Sequence, residues 1–307
     1  MRDQLVRVVD LLDDPEKATR GGWIVSPAAN NGAPDPVFGA RDLFGVYDAA
    51  SPGFRGRCTA PLLIDARSRR PVCNESAELV RNLVELRPAA VGAEASGKRW
   101  ANQANLLPEE HRPEIERLNA LIYEKLANGV YRAGFATSQQ AFDDALSGVR
   151  STLAELEARL QTQRFLCGGV LTEADVRLFP ALCRLDAVYH PFFLRGAPLR
   201  VSGGGGAPVV GGLAAVFPAL HAYLNDVWDL PGVSATIDIS AARLSYWRNL
   251  FPLNPGGIVP PGPNEDDVRR GAQGESGAEV AARRRRAFGG GGGEAVPRSA
   301  EEVCARF

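Results

Sequence analysis

A change of hydrophobic period near residue 108 limits what this chain can fold into more than any other feature. From Pro108 onward apolar residues recur at helical spacing, with Ile115, Leu118, Ile122 and Leu126 on one helix face and Leu153, Leu156 and Leu160 on another. Before that point short β-rich runs alternate with loops. Leu5-Val6-Arg7-Val8-Val9 reads as a strand, Asn30 to Pro36 breaks any regular element, and a short helical piece is expected around Ala40 to Tyr47. Pro61 to Asp65 and Arg70 to Cys73 read as two strands of a hairpin at a sheet edge, joined by the charged turn Ala66 to Arg69. A helix follows from Ser76, with Leu79, Val80, Leu83 and Leu86 in helical register. Two or three strands with one helix cannot cover both faces of a sheet, so these elements make half of a small α/β domain. The missing part is expected to precede residue 1.

The helical region has its own punctuation. Thr172-Glu173-Ala174-Asp175 stands before Val176, Leu178, Phe179, Leu182 and Leu185, the pattern of a capped and buried helix start. Val201 to Pro208 is glycine-rich and reads as a solvated insertion near 201–212. After about Pro263 the composition turns to Gly, Glu and Arg. The run Arg283-Arg284-Arg285-Arg286 is expected to be solvated within a disordered tail. The expected organisation is a first domain over 1–90, an all-α domain over 105–263 and a tail over 264–307.

Composition excludes several function classes. Thirty-five Lys and Arg balance 36 Asp and Glu, so no global field draws the chain to nucleic acid or an acidic membrane. No apolar run approaches the roughly 18 residues of a membrane span, and the start of the chain lacks the apolar region of a secretory signal. Cys58, Cys73, Cys167, Cys183 and Cys304 are widely spaced, and the only histidines are His111, His190 and His221, so no metal site is expected. A reducing, cytoplasmic compartment follows, or an organelle if a transit peptide lies upstream. Gly92 to Lys98 imitates a phosphate loop, but Arg99 stands where a magnesium-binding hydroxyl is needed.

The most specific signal is a series of unusual segments in fixed order. Asn128-Gly129-Val130-Tyr131-Arg132-Ala133-Gly134-Phe135-Ala136-Thr137-Ser138-Gln139 has too many small and polar members for a plain core helix. It closely resembles the N-G-V-Y-x-x-G-F-A-x-x-Q segment of glutathionyl-hydroquinone reductases, the Xi class of glutathione transferases. Gly22-Trp23, Pro34 to Arg41, Asn74 to Glu78, Leu171 to Phe179, Leu185 to Tyr189 and Asn254 to Pro260 agree with the same family. The resemblance covers roughly residues 5 to 263. It implies an α+β protein, with an incomplete thioredoxin-like N-terminal domain followed by an all-α glutathione-transferase C-terminal domain.

What the resemblance implies for the site follows residue by residue. Glutathione, as co-substrate, would lie against the strand that starts at a cis-proline, so Ala60 and Pro61 would hold its cysteinyl part through the Ala60 backbone. Glu75 and Ser76 at a helix start would take the γ-glutamyl end, and Trp23 would flank the tripeptide. Tyr131 and Tyr189 match tyrosines that bind the quinol, and Tyr246 is a plausible third. Core packing is the alternative for Trp23 and each tyrosine, and a simple helix cap for Glu75 and Ser76. The family thiol, in a C-P-W-A segment at the first helix, has no counterpart, because its position falls before Met1. Cys58, three residues before Pro61, is the only substitute by position.

Two functions stay open. One is glutathione-dependent reduction of glutathionylated quinols by thiol-disulfide exchange, with the catalytic thiol upstream of Met1. The other is an inactive relative that keeps a ligand pocket or a dimer surface. A homodimer is expected by resemblance, with no nucleic-acid or membrane partner.

Overall fold

A computed structural model describes residues 7–14, 22–27, 30–85, 105–200, 212–250 and 252–288. The chain divides into two compact units, Met1–Ser96 and Gly97–Ala305.

In the first unit β1 (Leu11–Asp13) pairs antiparallel with β2 (Trp23–Val25), Leu12 standing opposite Ile24. The strand expected at 5–9 is thus displaced. Leu5 and Val6 lie outside the described residues, and Arg7 to Val9 are not strand. A β-rich run becomes a strand only where a partner pairs with it, and β2 pairs with Leu11 to Asp13. The Asp35 carboxylate then organises the Pro34–Arg41 loop by accepting the amides of Val37, Phe38 and Ala40 at 2.8–3.2 Å. The next helix, α1 (Leu43–Ala50), starts later than expected because Asp42 caps it, its Oδ1 accepting from the Gly45 amide at 2.6 Å. Leu43, Val46 and Tyr47 of α1 bury together with Cys58, and Trp23, Phe38, Phe54, Leu62 and Ile64 pack on them.

β3 (Leu63–Asp65) and β4 (Arg70–Cys73) form the expected hairpin, antiparallel with an irregularity between Leu63 and Ile64. Asp65 closes the turn by accepting from Arg67 N and Ser68 Oγ at 2.9 and 2.8 Å. After it α2 (Ser76–Glu85) buries Leu79.

Among its described residues the second unit is mainly helical, with isolated β-bridges Phe165–Gly168 and Cys167–Val170. α3 (Arg112–Leu121) opens without a break into a π-helical turn, Ile122–Ala127, and then into α4 (Asn128–Gly134). α5 (Gln139–Leu160) and α6 (Glu173–Arg184) follow, and α6 runs into a second π-helical segment, Leu185–Phe193. α7 (Leu213–Val216), α8 (Pro218–Trp228) and α9 (Ile239–Asn249) come next. Both predicted helix faces are inside, since Ile115, Leu118, Ile122, Leu126, Leu153, Leu156 and Leu160 are all at most 1% exposed. Most of the glycine-rich insertion, 201–211, lies outside the described residues.

Buried carboxylates hold the helix starts. Asp175 accepts from Thr172 N, Thr172 Oγ1, Leu166 N and the Tyr223 hydroxyl at 2.8–3.0 Å, so the Thr172 hydroxyl is a donor at this cap. Glu157 accepts the Ala219 and Leu220 amides at the positive end of α8.

The expected disordered tail is corrected over 265–287. α10 (Glu265–Arg269) and α11 (Gly277–Ala287) each begin with a capping box, Asn264 with Asp267 and Ser276 with Glu279. Nor is the arginine run uniformly solvated. On a helix successive residues point in different directions, and Arg284 turns inward to 5% exposure. There it donates to the carbonyls of Leu160, Gln163 and Arg164 at 3.2, 2.9 and 2.8 Å, capping the negative end of α5. Arg285 reaches Asp226 and Asp229, while Arg283 pairs with Glu275 at the surface. Residues 289–307, including Cys304, lie outside the described residues.

Candidate functional site

In the first unit the peptide bond before Pro61 is cis. The approach to it is set by Tyr47 of α1, whose hydroxyl donates to the Thr59 carbonyl at 2.9 Å and accepts from Asn74 Nδ2 at 3.1 Å. Ala60 and Pro61 are exposed, and the Ala60 N–H and C=O make no hydrogen bond among the described residues. An extended peptide can therefore pair with this backbone as it would with a strand edge. Glu75 and Ser76 are also exposed, at the start of α2, with Glu75 Oε1 accepting from Ala77 N at 3.2 Å. The carboxylate is local to the cap and still open to solvent. Trp23 is half-buried in β2, against the Leu43–Cys58 cluster.

Cys58 is 1% exposed within that cluster, which fits core packing far better than attack on a ligand. Cys73 is half-buried, and its Sγ accepts the Glu75 amide at 3.4 Å. In the second unit burial raises the Cys167 thiol, and it pushes that of Cys183 up to about 12. Among the described residues no cysteine forms a disulfide, and no thiol stands in the first turn of a helix.

In the second unit the three tyrosines named from the sequence meet, although they come from separate elements. Tyr131 is on α4, Tyr189 in the π-helical segment and Tyr246 on α9. The Tyr131 and Tyr246 hydroxyls are 2.5 Å apart, and the ring centroids of the three lie 6.0–6.5 Å from one another. Phe193 packs edge-on to all three, with centroids at 4.9–5.9 Å. Both π-helical stretches adjoin this cluster, and their wider turns change which side chains share a face, a feature common at functional sites. Small residues in the Asn128 to Gln139 segment now have a reason. A Cβ on Gly134 would stand 2.3 Å from Phe193 Cδ1, and one on Gly129 would stand 3.1 Å from Val149 Cγ2.

Burial, first, and the neighbouring phenols hold the Tyr131 hydroxyl well above its ordinary value, and burial pushes Tyr189 up to about 12. Both therefore remain protonated donors near neutral pH. Arg184 is the last residue of α6, one π-helical turn before Tyr189, and is half-buried. Burial works against its charge, yet the oxygens of Tyr189, Tyr246 and Tyr131 hold it above its usual value. It has no carboxylate partner among the described residues. Sequence reasoning missed it. The available signal was an arginine whose helical neighbours Pro180, Ala181, Ala187 and Val188 are all apolar.

No group of three or more His, Cys, Asp or Glu among the described residues is arranged to hold a metal, and no described helix is long and apolar enough to cross a membrane.

An exposed cis-proline edge in one unit and a helical unit with the Thr172–Asp175 cap define a glutathione-transferase-type protein. Comparison with known proteins agrees. The family described as Glutathione S-transferase, C-terminal domain matches residues 139–226. The glutathionyl-hydroquinone reductase PcpF of Sphingobium chlorophenolicum is 38% identical over 79% of this chain and 70% of its own length. YqjG of Escherichia coli, also a glutathionyl-hydroquinone reductase, is 34% identical over 80% of this chain and 68% of its own. The glutathione-bound structure of YqjG superposes with a TM-score of 0.66 at 32% identity, covering 80% of this chain and 73% of that one. A Xi glutathione transferase of Phanerochaete chrysosporium gives a TM-score of 0.66 at 28% identity, over 80% and 77% of the two chains. The chain belongs to the glutathionyl-hydroquinone reductase family, the Xi class of glutathione transferases. Its fold class is α+β, with an incomplete thioredoxin-like unit followed by an all-helical glutathione-transferase unit.

Proposed function

We propose that this protein works on glutathionylated quinols, holding glutathione at the Ala60–Pro61 edge with Glu75, Ser76 and Trp23, and the quinol ring at Tyr131, Tyr189 and Tyr246. The observation that carries this is the tyrosine cluster, in which Tyr189 is buried and Tyr131 and Tyr246 are half-buried, and where Tyr131 and Tyr189, kept protonated, suit the oxygens of a hydroquinone. In the reaction a thiolate attacks the sulfur of the conjugate and the carbon–sulfur bond breaks. The ring carbon takes a proton, hydroquinone leaves, and a mixed disulfide with glutathione remains. A second glutathione thiolate then releases glutathione disulfide and regenerates the thiolate.

Catalysis by these residues is a separate matter from their family, because no Cys-Pro-Trp segment occurs in the 307 residues. A second function, ligand binding without turnover, is favoured by the burial of Cys58, Cys167 and Cys183. Calorimetric titration with glutathione and a product assay with glutathionyl-menadiol test both. The 307-residue chain is expected to bind glutathione and to release no menadiol. Turnover that disappears in Cys58→Ser would put the chemistry on Cys58, and failure to bind glutathione would refute the assignment of its site. The homodimer is likewise a proposal, checked by light scattering on the purified chain.

A further inference from the structure

One tyrosine hydroxyl in the first unit stands between two segments that are both assigned to glutathione. Leu43, Val46 and Tyr47 share the buried face of α1, and Tyr47 is 5% exposed, its ring stacked on Phe54 with centroids 4.9 Å apart. That packing fixes where the hydroxyl emerges, at the open end of the β3–β4 hairpin. The last strand pair there is Leu63 opposite Cys73, next to the irregularity between Leu63 and Ile64. Past that pair the strand ladder no longer spaces residues 59–61 from residues 74–76. Side chains do so instead. The Tyr47 hydroxyl donates to the Thr59 carbonyl at 2.9 Å and accepts from Asn74 Nδ2 at 3.1 Å, and Thr59 Oγ1 stands 3.5 Å from both. A hydroxyl that donates and accepts at once is polarised by each bond, so each strengthens the other. Thr59 directly precedes Ala60, and Asn74 directly precedes Glu75.

We infer that Tyr47 and Asn74 are positioning residues for glutathione. They fix the separation between the Ala60 backbone, which takes the cysteinyl part, and the Glu75–Ser76 helix start, which takes the γ-glutamyl end. Neither needs to touch the ligand. A peptide that bonds to both segments binds most tightly when their spacing is set beforehand, because the segments then need no ordering on binding. The inference rests on the assignment of glutathione to this unit, and it names the side chains that hold the two parts of that site in one geometry. Tyr47 is buried and also packs in the core, whereas Asn74 is exposed, so the two can be tested apart.

Calorimetric titration with glutathione is carried out on the 307-residue wild type, Tyr47→Phe, Asn74→Ala and the double variant, with the urea midpoint of each measured alongside. Tyr47→Phe keeps the stacked ring and removes only the oxygen. Each single variant is expected to bind glutathione about fivefold more weakly, the scale of one net hydrogen bond. The double variant should lose no more than the weaker single, because both changes cut the same link. The urea midpoint of Asn74→Ala should stay at the wild-type value, since that side chain is exposed, which separates positioning from support of the fold. Three results overturn the inference and leave the glutathione site standing: an unchanged affinity in either folded single variant, a weakened Asn74→Ala whose midpoint also falls, or losses that multiply in the double. If Tyr47→Phe does not fold, Asn74→Ala decides by the same criteria. A wild type that does not bind glutathione sinks both the inference and the site.

Discussion

Replacing Arg284 by alanine tests whether the C-terminal segment is part of the fold. The residue is 5% exposed, and its guanidinium makes three bonds of 2.8–3.2 Å to backbone carbonyls, of Leu160, Gln163 and Arg164, besides a longer one of 3.5 Å to that of Ala219. It also stands 4.0 Å from the fully buried Asp226, which keeps its bidentate pair with Arg164 when Arg284 is lost. Three bonds at about 1 kcal/mol net each give roughly 3 kcal/mol. Opening the end of α5 and weakening a buried charge network brings the expected cost to about 3–5 kcal/mol. That is a large part of the roughly 5–15 kcal/mol of a typical folded protein. With a urea dependence of about 2–3 kcal/mol per molar, the unfolding midpoint should fall by more than about 1 M. Tryptophan fluorescence reports on the region, because Trp228 is buried and Arg269 of α10 lies over its ring. Arg284→Lys keeps the charge but loses the planar fork, and should recover part of the loss. A change below about 0.5 kcal/mol, the level of an ordinary surface residue, would show that α11 is not docked in solution.

Gly134→Ala would place its Cβ against Phe193 and cost about 1–3 kcal/mol; an unaltered thermal midpoint would contradict the packing of the tyrosine cluster. Burial holds His221 below its ordinary value, so the unfolded chain takes up a proton more readily than the fold does. The stability this supplies is complete above about pH 6.5 and is lost as pH falls from there toward the folded pKa, so urea midpoints of His221→Gln should depend less on pH between about 6.5 and 5. Brief alkylation of the native protein with mass mapping should label Cys73 before Cys58, Cys167 and Cys183, since it alone of these is not buried; early labelling of Cys58 would contradict the cluster around Tyr47.

The sequence by itself determined the features that depend on neighbours a few residues away. The 3.6-residue period placed Ile115 to Leu126 and Leu153 to Leu160 in a core, the Asp65 turn followed from two β-rich runs, and the Asn128 to Gln139 segment pointed to the family. It also supplied the three tyrosines. Only the tertiary structure decided that they touch, because α4, the Leu185–Phe193 stretch and α9 are far apart along the chain and meet through packing. The same holds for the two arginines that a local pattern misrepresents. Arg284 lies in a run that looks solvated, yet the carbonyls of Leu160 to Arg164, more than a hundred residues away, draw it inside. Arg184 has an unremarkable place at a helix end, yet burial there opposes its charge while Tyr189, five residues on, and Tyr246 and Tyr131, from other elements, hold it above its usual value. The physical reason is common to both. Period and capping are energies of the local backbone, whereas the cost of a buried charge is set by whichever partners the fold brings to it.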